Sequence, residues 1–120
     1  MHVCKSFTFD SAHYLPAHAG KCRNLHGHTY RLEIEISGDD LPGGMVMDFG
    51  DLKQIVGPLV DTLDHRFLNE IMPVPTAENM VRWFWSKIEP DLPRTVALER
   101  IRVWETPTSY AEEVRPCPFA

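Results

Sequence analysis

The chain contains 120 residues, of which 43% are hydrophobic and 24% are charged, and it carries a formal net charge of −5 at pH 7. This composition predicts one domain over residues 1–120 with an apolar core. The acidic balance argues against a nucleic-acid role, and the lack of an apolar run of about 18 residues excludes a membrane span. Because the N-terminus lacks a signal-peptide core and the three cysteines are an odd number, we expect a soluble, cytoplasmic protein without a disulfide scaffold.

Two strands and an intervening loop are predicted in the first third of the chain. Loose alternation predicts a strand over residues 3–14, and the Pro-, Gly- and Lys/Arg-rich residues 16–24 predict a loop. In the strand that follows, His26 and His28 share a parity with Tyr30 and the aliphatic residues after it. We therefore expect both histidines at the start of a strand, on its apolar side.

Two helices are predicted in the middle of the chain. Residues 38–44 predict a turn, and a short strand over residues 45–47 leads to Asp48, which is a helix N-cap. Pro58 is expected to kink or split this helix, because proline cannot donate a backbone hydrogen bond and clashes with the preceding turn. Thr76 is the expected N-cap of the second helix.

Two further strands, over residues 96–106 and 109–115, are predicted after the helices. Phe84 and Trp85 belong to the apolar stripe of the second helix and are expected in the core. The order of elements predicts an α+β domain, with an antiparallel four-stranded sheet and two helices packed on one face.

The pair His26 and His28, together with His13, predicts a metal site. Histidines one residue apart in a strand point to the same face, with Cα atoms about 6.6 Å apart. Three neutral imidazoles without a fourth protein ligand are typical of a catalytic zinc site, which keeps one position open for water or substrate. The alternative is that these are strand histidines with satisfied hydrogen bonds and no metal.

Cys22 lies four residues before this pair and is interpreted as a reactive group, not as a ligand. Lys21 and Arg23 flank it, and a nearby metal would add positive charge, so we expect a thiolate that acts as a base. The alternative is an ordinary loop cysteine, which is the interpretation of Cys4 and Cys117.

Six motifs occur in an order that resembles a known family. They are Phe9-Asp10-Ser11-Ala12-His13, Cys22-x-x-x-His26-Gly27-His28, Met47-Asp48-Phe49, Leu63-Asp64-His65, Pro75-Thr76-Ala77-Glu78-Asn79 and Val103-Trp104-Glu105-Thr106. Together they resemble the 6-pyruvoyl-tetrahydropterin synthase family over residues 7–106. The three-residue spacing between the cysteine and the His-Gly-His pair resembles the carboxy-forming branch. A third branch, which acts as an aldolase, has glutamate in place of the cysteine, so Cys22 argues against it.

The resemblance implies the tunnelling fold, with subunits associated into an oligomeric barrel, commonly a homohexamer of two stacked trimers with active sites at subunit interfaces. It implies Zn²⁺ as the cofactor and assigns its ligands and the catalytic residues. The metal ligands are His13, His26 and His28; the catalytic residues are Cys22 as base, Asp64 and His65 as a proton relay from a neighbouring subunit, and Glu105 as pterin anchor and relay member.

The implied substrate is 7,8-dihydroneopterin triphosphate, and the implied product is 6-carboxy-5,6,7,8-tetrahydropterin, formed with release of acetaldehyde and triphosphate in queuosine biosynthesis. An alternative within the family stops at the 6-pyruvoyl product. Two other classes stay open: a module in which zinc only stabilises the sheet, and a zinc hydrolase that uses a His₃-bound hydroxide.

Binding of the substrate calls for further residues, since an acidic chain needs a local basic patch to hold a triphosphate. We hypothesise that Lys21 and Arg23, together with His18, supply this patch. The backbone of Thr76, Ala77 and Glu78, at a helix N-terminus, is a candidate contact of the pterin ring.

Overall fold

The structure is a computed structural model that describes residues 1–39 and 42–117. Its main elements, in chain order, are β1 (His2–His13), β2 (His26–Gly38), α1 (Phe49–Leu63), β3 (Arg66–Phe67), α2 (Ala77–Ile88), β4 (Val96–Thr106) and β5 (Ser109–Val114). The four long strands and both helices were predicted from the sequence.

The sheet has five strands in the order β3-β1-β2-β4-β5. The pairs β1/β2, β2/β4 and β4/β5 are antiparallel, whereas β3 runs parallel to β1. The prediction of a four-stranded antiparallel sheet was therefore wrong, because the sheet is mixed. The two residues of β3 are too few to show alternation, and a local turn creates the strand: His65 has a φ of 54°, and its N–H donates to the Asp10 carbonyl at 2.6 Å.

The region between β2 and α1 differs from its prediction. Residues 45–47 do not form a strand, since only Met45 makes an isolated bridge. The predicted turn over residues 38–44 includes Asp40 and Leu41, which lie outside the described residues.

Side-chain caps begin both helices as predicted. Asp48 accepts a hydrogen bond from the N–H of Gly50, and Thr76 accepts one from the N–H of Asn79. The helix is not split at Pro58, because α1 is continuous from Phe49 to Leu63. Pro58 lies on the exposed side of the helix, so the carbonyl that it leaves without a partner is open to solvent.

The core lies between the two helices and the apolar face of the sheet. Alternate residues of β2 and β4 are fully buried there, among them Leu32, Ile34 and Ile101. Phe84 of α2 is fully buried and Trp85 packs at the margin of the core, as predicted. Within the part of the chain that the structure describes, neither helix is long and apolar enough to cross a membrane.

Candidate metal centre and active site

Three strand ends meet at one end of the sheet and bring the predicted histidines together. His13 ends β1 and pairs with His26, which begins β2, and His28 pairs with Ser11. Cross-strand partners in an antiparallel pair point to the same face, so all three imidazoles lie on the core side. Donor atoms of the three rings and of the Glu105 carboxylate lie within 4.8 Å of one another.

Two backbone carbonyls fix the tautomers of His13 and His26. Nδ1 of His13 lies 2.7 Å from the carbonyl oxygen of Pro75, and Nδ1 of His26 lies 2.7 Å from that of Asn24. Because a carbonyl oxygen only accepts, each Nδ1 must carry the hydrogen, which leaves a lone pair on Nε2. The two Nε2 atoms nevertheless lie 3.0 Å apart. Two lone pairs at this distance repel each other unless a cation lies between them.

His28 completes a donor set that fits a metal ion. Its Nε2 is buried and has no hydrogen-bond partner within residues 1–39 and 42–117. Burial lowers the pKa of both His13 and His28, which keeps the rings in the neutral form that binds metal. Carbonyls that hold the far nitrogens are also the usual outer partners of metal-bound histidines. The residues present therefore fit a zinc ion.

The carboxylate of Glu105, which was predicted to anchor the pterin, also contacts two of the imidazoles. Its Oε1 lies 3.3 Å from Nε2 of His13 and 3.2 Å from Nε2 of His28. Tyr30 lies beneath the cluster, with its hydroxyl 3.4 Å from Nε2 of His13, which is the ring nitrogen able to accept from it. Burial and the Glu105 carboxylate raise the pKa of Tyr30, so its hydroxyl keeps the proton and remains a donor. Neither Tyr30 nor the two carbonyls were predicted as site groups.

Cys22 lies in a 3₁₀ turn, Lys21–Arg23, in the loop that precedes β2. The N–H of Leu15 donates to the Cys22 carbonyl at 2.7 Å and ties this loop together. The thiol is free and half-buried, and it lies outside the donor group formed by the described residues around His13. Lys21 and Arg23 are both exposed, as a phosphate-binding role requires.

Asp64 and His65 form a separate pair at the end of α1. Nδ1 of His65 lies 3.0 Å from Oδ2 of Asp64, and the N–H of Asp10 donates to the other carboxylate oxygen at 2.9 Å. The Asp10 N–H, with the His65 ring, lowers the pKa of Asp64, and the Asp64 carboxylate raises the pKa of His65. The structure does not bring this pair into the imidazole group, and the His65 side chain is 78% exposed.

Three concavities adjoin the group formed by the imidazoles and Glu105. The first, of about 580 Å³, is lined by His28 and by His65 of the separate pair, and the other two are lined by Glu105. The second, of about 540 Å³, is lined by His28, Tyr30, Trp104 and Glu105. The third, of about 410 Å³, is also lined by Glu105 and by two residues of the first turn of α2, Ala77 and Glu78. The side chain of Glu78 was not predicted as a site group. Its place in the first turn of the helix, two residues after the N-cap in one of the six motifs, is the sequence signal that indicates it.

A family model described as 6-pyruvoyl tetrahydropterin synthase matches residues 2–116. The chain belongs to this family. It is 39% identical to 6-carboxy-5,6,7,8-tetrahydropterin synthase of Haemophilus influenzae, over 92% of this chain and 96% of that protein. It is 43% identical to dihydroneopterin monophosphate aldolase of Pyrococcus furiosus, over 82% and 83% of the two chains. Its fold is similar to that of Caenorhabditis elegans 6-pyruvoyl tetrahydropterin synthase, with a TM-score of 0.85 at 26% identity, over 97% of this chain and 96% of the other.

Proposed function

We propose that this member of the family is a zinc-dependent 6-carboxy-5,6,7,8-tetrahydropterin synthase. With water, it would convert 7,8-dihydroneopterin triphosphate to 6-carboxy-5,6,7,8-tetrahydropterin, acetaldehyde and triphosphate in queuosine biosynthesis, and it would act in the cytoplasm. The observation that carries the proposal is the convergence of three imidazoles, two of which have a lone pair on Nε2, at the start of the strand that follows a loop with a free thiol. The relative from Haemophilus influenzae, which aligns over nearly its full length, supports the same product.

His13, His26 and His28 would hold the zinc ion through Nε2. When bound, zinc would supply Lewis-acid chemistry to the hydroxyls of the substrate side chain. Cys22 would remove a carbon-bound proton as a thiolate. Its place in a loop, half-buried and next to two exposed basic residues, supports this role over a ligand role.

Asp64 and His65 would relay protons from a neighbouring subunit. Asp64 orients the ring and favours the imidazolium, so His65 would serve as an acid that returns a proton. The exposure of His65 supports completion of the site across an interface. The proposed assembly is a homohexameric barrel of two stacked trimers, in which sheet edges such as β5 pair between subunits.

Recognition of the pterin would use the carboxylates beside the first turn of α2. A carboxylate accepts two N–H bonds from a 2-amino-pyrimidinone edge, and Glu105 and Glu78 both face the same concavity. The backbone of Thr76 and Ala77 lies at that helix N-terminus and would contact the ring. Lys21 and Arg23 remain our candidates for the triphosphate.

The alternative is a 6-pyruvoyl-tetrahydropterin synthase, which would eliminate triphosphate without cutting the side chain. The fold similarity to the Caenorhabditis elegans protein of that name favours it, and the same ligands would serve both reactions. The aldolase relative points to a different cleavage, against which the thiol of Cys22 argues.

Product analysis tests the proposal and separates it from these alternatives. The purified protein is incubated with 7,8-dihydroneopterin triphosphate, pterins are identified by mass spectrometry, and acetaldehyde is measured with a coupled dehydrogenase. We expect equal amounts of 6-carboxy-tetrahydropterin and acetaldehyde. Cys22→Ala should abolish both, whereas Cys4→Ala, which removes an exposed thiol in β1, should leave them unchanged. Triphosphate release without acetaldehyde would instead establish the pyruvoyl-forming reaction.

A further inference from the structure

Glu105 occupies an irregular position near the end of β4. In the pairing with β5, Trp104 lies opposite Tyr110 and Thr106 lies opposite Ser109, so one residue of β4 is left over. That residue is Glu105. A β-bulge of this kind leaves its extra residue outside the ladder and redirects the side chain. Glu105 also has the parity of the buried residues Ile101 and Val103, which directs it toward the imidazoles.

The contacts of the Glu105 carboxylate are not hydrogen bonds. The Pro75 carbonyl holds the hydrogen of His13 on Nδ1, so the Nε2 atom that faces Glu105 has no hydrogen to donate. Nε2 of His28 lies 3.2 Å from the carboxylate and yet makes no hydrogen bond. Two electron-rich atoms, Nε2 of His13 and Oε1 of Glu105, therefore face one another at contact distance, and a shared cation is the arrangement that makes this contact favourable.

The spacing of the donors fits four ligands around one ion. Atoms about 2.0–2.2 Å from a zinc ion, at the corners of a tetrahedron, lie roughly 3.3–3.6 Å apart. Oε1 of Glu105 lies 3.3 Å and 3.2 Å from two of the imidazole nitrogens, and the Nε2 atoms of His13 and His26 lie 3.0 Å apart. With zinc bound, the carboxylate oxygen would therefore take the position that a three-histidine site leaves to water.

We propose that Glu105 is a fourth ligand of the metal ion when no substrate is bound, and that a substrate oxygen takes its place. This inference rests on the proposed zinc site. The burial of the ligands indicates which one leaves: the side chain of His13 is fully buried, whereas that of Glu105 is 29% exposed and lines two of the three concavities. Once displaced, the carboxylate is free to accept hydrogen bonds from the substrate or to take a proton.

Metal affinity without substrate tests this inference. Zinc dissociation constants are measured by chelator competition for the wild-type chain, Glu105→Gln and Glu78→Gln. The matched control, Glu78, is a carboxylate of the same concavity outside the donor group. We expect Glu105→Gln to weaken zinc binding about 10–100-fold and Glu78→Gln to leave it unchanged. Glu105→Asp, which keeps the charge but shortens the reach, should also weaken binding.

Spectra of the Co²⁺-substituted proteins give a second readout. The visible absorption of Co²⁺ reports its ligand set and geometry, so it should change in Glu105→Gln and not in Glu78→Gln. Equal zinc affinity and an equal spectrum in Glu105→Gln would overturn the fourth-ligand inference alone. If the wild-type chain binds no zinc, or if His28→Ala binds it equally well, the proposed metal site itself is wrong.

Discussion

The imidazole cluster and the Asp64–His65 pair differ in how completely one chain builds them. His13 and His26 come from paired strand ends, and backbone carbonyls hold both rings in place. The pair at the end of α1 belongs to one turn, and its imidazole is mostly exposed. A single chain therefore supplies every donor of the proposed metal site, whereas the proposed proton relay needs a second surface to exclude water.

The environments of the two regions also move histidine pKa values in opposite directions. Burial lowers the pKa of His13 and His28 and favours the neutral ring, which a metal requires. The carboxylate of Asp64 raises the pKa of His65 and favours the imidazolium, which is a proton donor. The surroundings of each histidine therefore decide whether its imidazole is neutral and suited to bind a metal or protonated and suited to donate a proton.

Removal of one imidazole is expected to have the largest effect. His28→Ala should reduce turnover by about 10³-fold or more, since a metal contributes several kcal/mol to transition-state stabilisation. It should also remove the stabilisation by zinc, which for the wild-type chain is about 2.7 kcal/mol at a free zinc concentration of 100 times Kd. Turnover, bound zinc and thermal unfolding with and without zinc measure these effects.

His65→Ala is the control for this comparison, because it removes an imidazole from the exposed pair. We expect it to keep one zinc ion per chain and the full thermal shift. Loss of zinc from His65→Ala would contradict the separation of the two regions.

Mixed oligomers test whether the exposed pair acts on another chain. Cys22→Ala and His65→Ala should each reduce turnover about 10²–10⁴-fold, which is the usual contribution of a general acid or base. When the two variants are unfolded together and reassembled, some interfaces combine an intact Cys22 with an intact His65. Activity should then recover well above that of either variant alone.

The outcome that contradicts this assignment is equally direct. If the mixture assembles to the wild-type size and stays inactive, the relay and the thiolate belong to one chain. Each variant reassembled alone is the control for activity that refolding itself restores.

The sequence predicted the four long strands, both helices and the parity of His26 and His28 because each leaves a local pattern. The parity that His26 and His28 share with Tyr30 identified their face, and the caps Asp48 and Thr76 located both helix starts. These features depend on neighbours within a few residues.

The missed features depend on tertiary contacts. The pairing of β3 with β1 involves two residues and a backbone turn at His65. The approach of Glu105 to the imidazoles follows from the adjacency of β2 and β4 together with a one-residue bulge, neither of which alternation reveals. The carbonyl of Pro75 carries no side-chain signal, so its contact with His13 was not predictable.

The pH dependence of activity tests whether Asp64 raises the pKa of His65. Asp64→Asn removes the charge that raises the pKa of His65, while its side-chain oxygen can still accept the N–H of Asp10. The pKa of His65 should therefore fall toward its ordinary value. If protonated His65 is the acid, activity is lost as the pH rises through this pKa, so the alkaline limb of the rate profile should move to lower pH.

NMR titration of the His65 ring measures this shift directly. Asp61→Asn is the matched control, because it removes a carboxylate from the last turn of α1 outside the Asp64–His65 contact. We expect it to change the titration less. An unchanged His65 titration in Asp64→Asn would show that the ion pair does not set the protonation of the ring.

The smallest expected effect tests how firmly the imidazole cluster is anchored to α2. Thr76→Ala removes the acceptor for the N–H of Asn79 and should lower the free energy of unfolding by about 1 kcal/mol. Asp48→Ala removes the cap of α1 and should cost a similar amount. Denaturant unfolding of the metal-free chains at one protein concentration measures both, and Thr76→Ser should retain most of the stability.

The zinc affinities of the same variants then show whether the start of α2 orients the ring of His13 or only stabilises the fold. Only Thr76 adjoins Pro75, whose carbonyl holds the ring of His13. If strand pairing alone positions the cluster, both cap variants bind zinc as the wild-type chain does. If the start of α2 helps to orient His13, Thr76→Ala binds zinc more weakly while Asp48→Ala does not. We expect the second result, because the only backbone acceptor on Nδ1 of His13 in the described part of the chain comes from the residue before the cap.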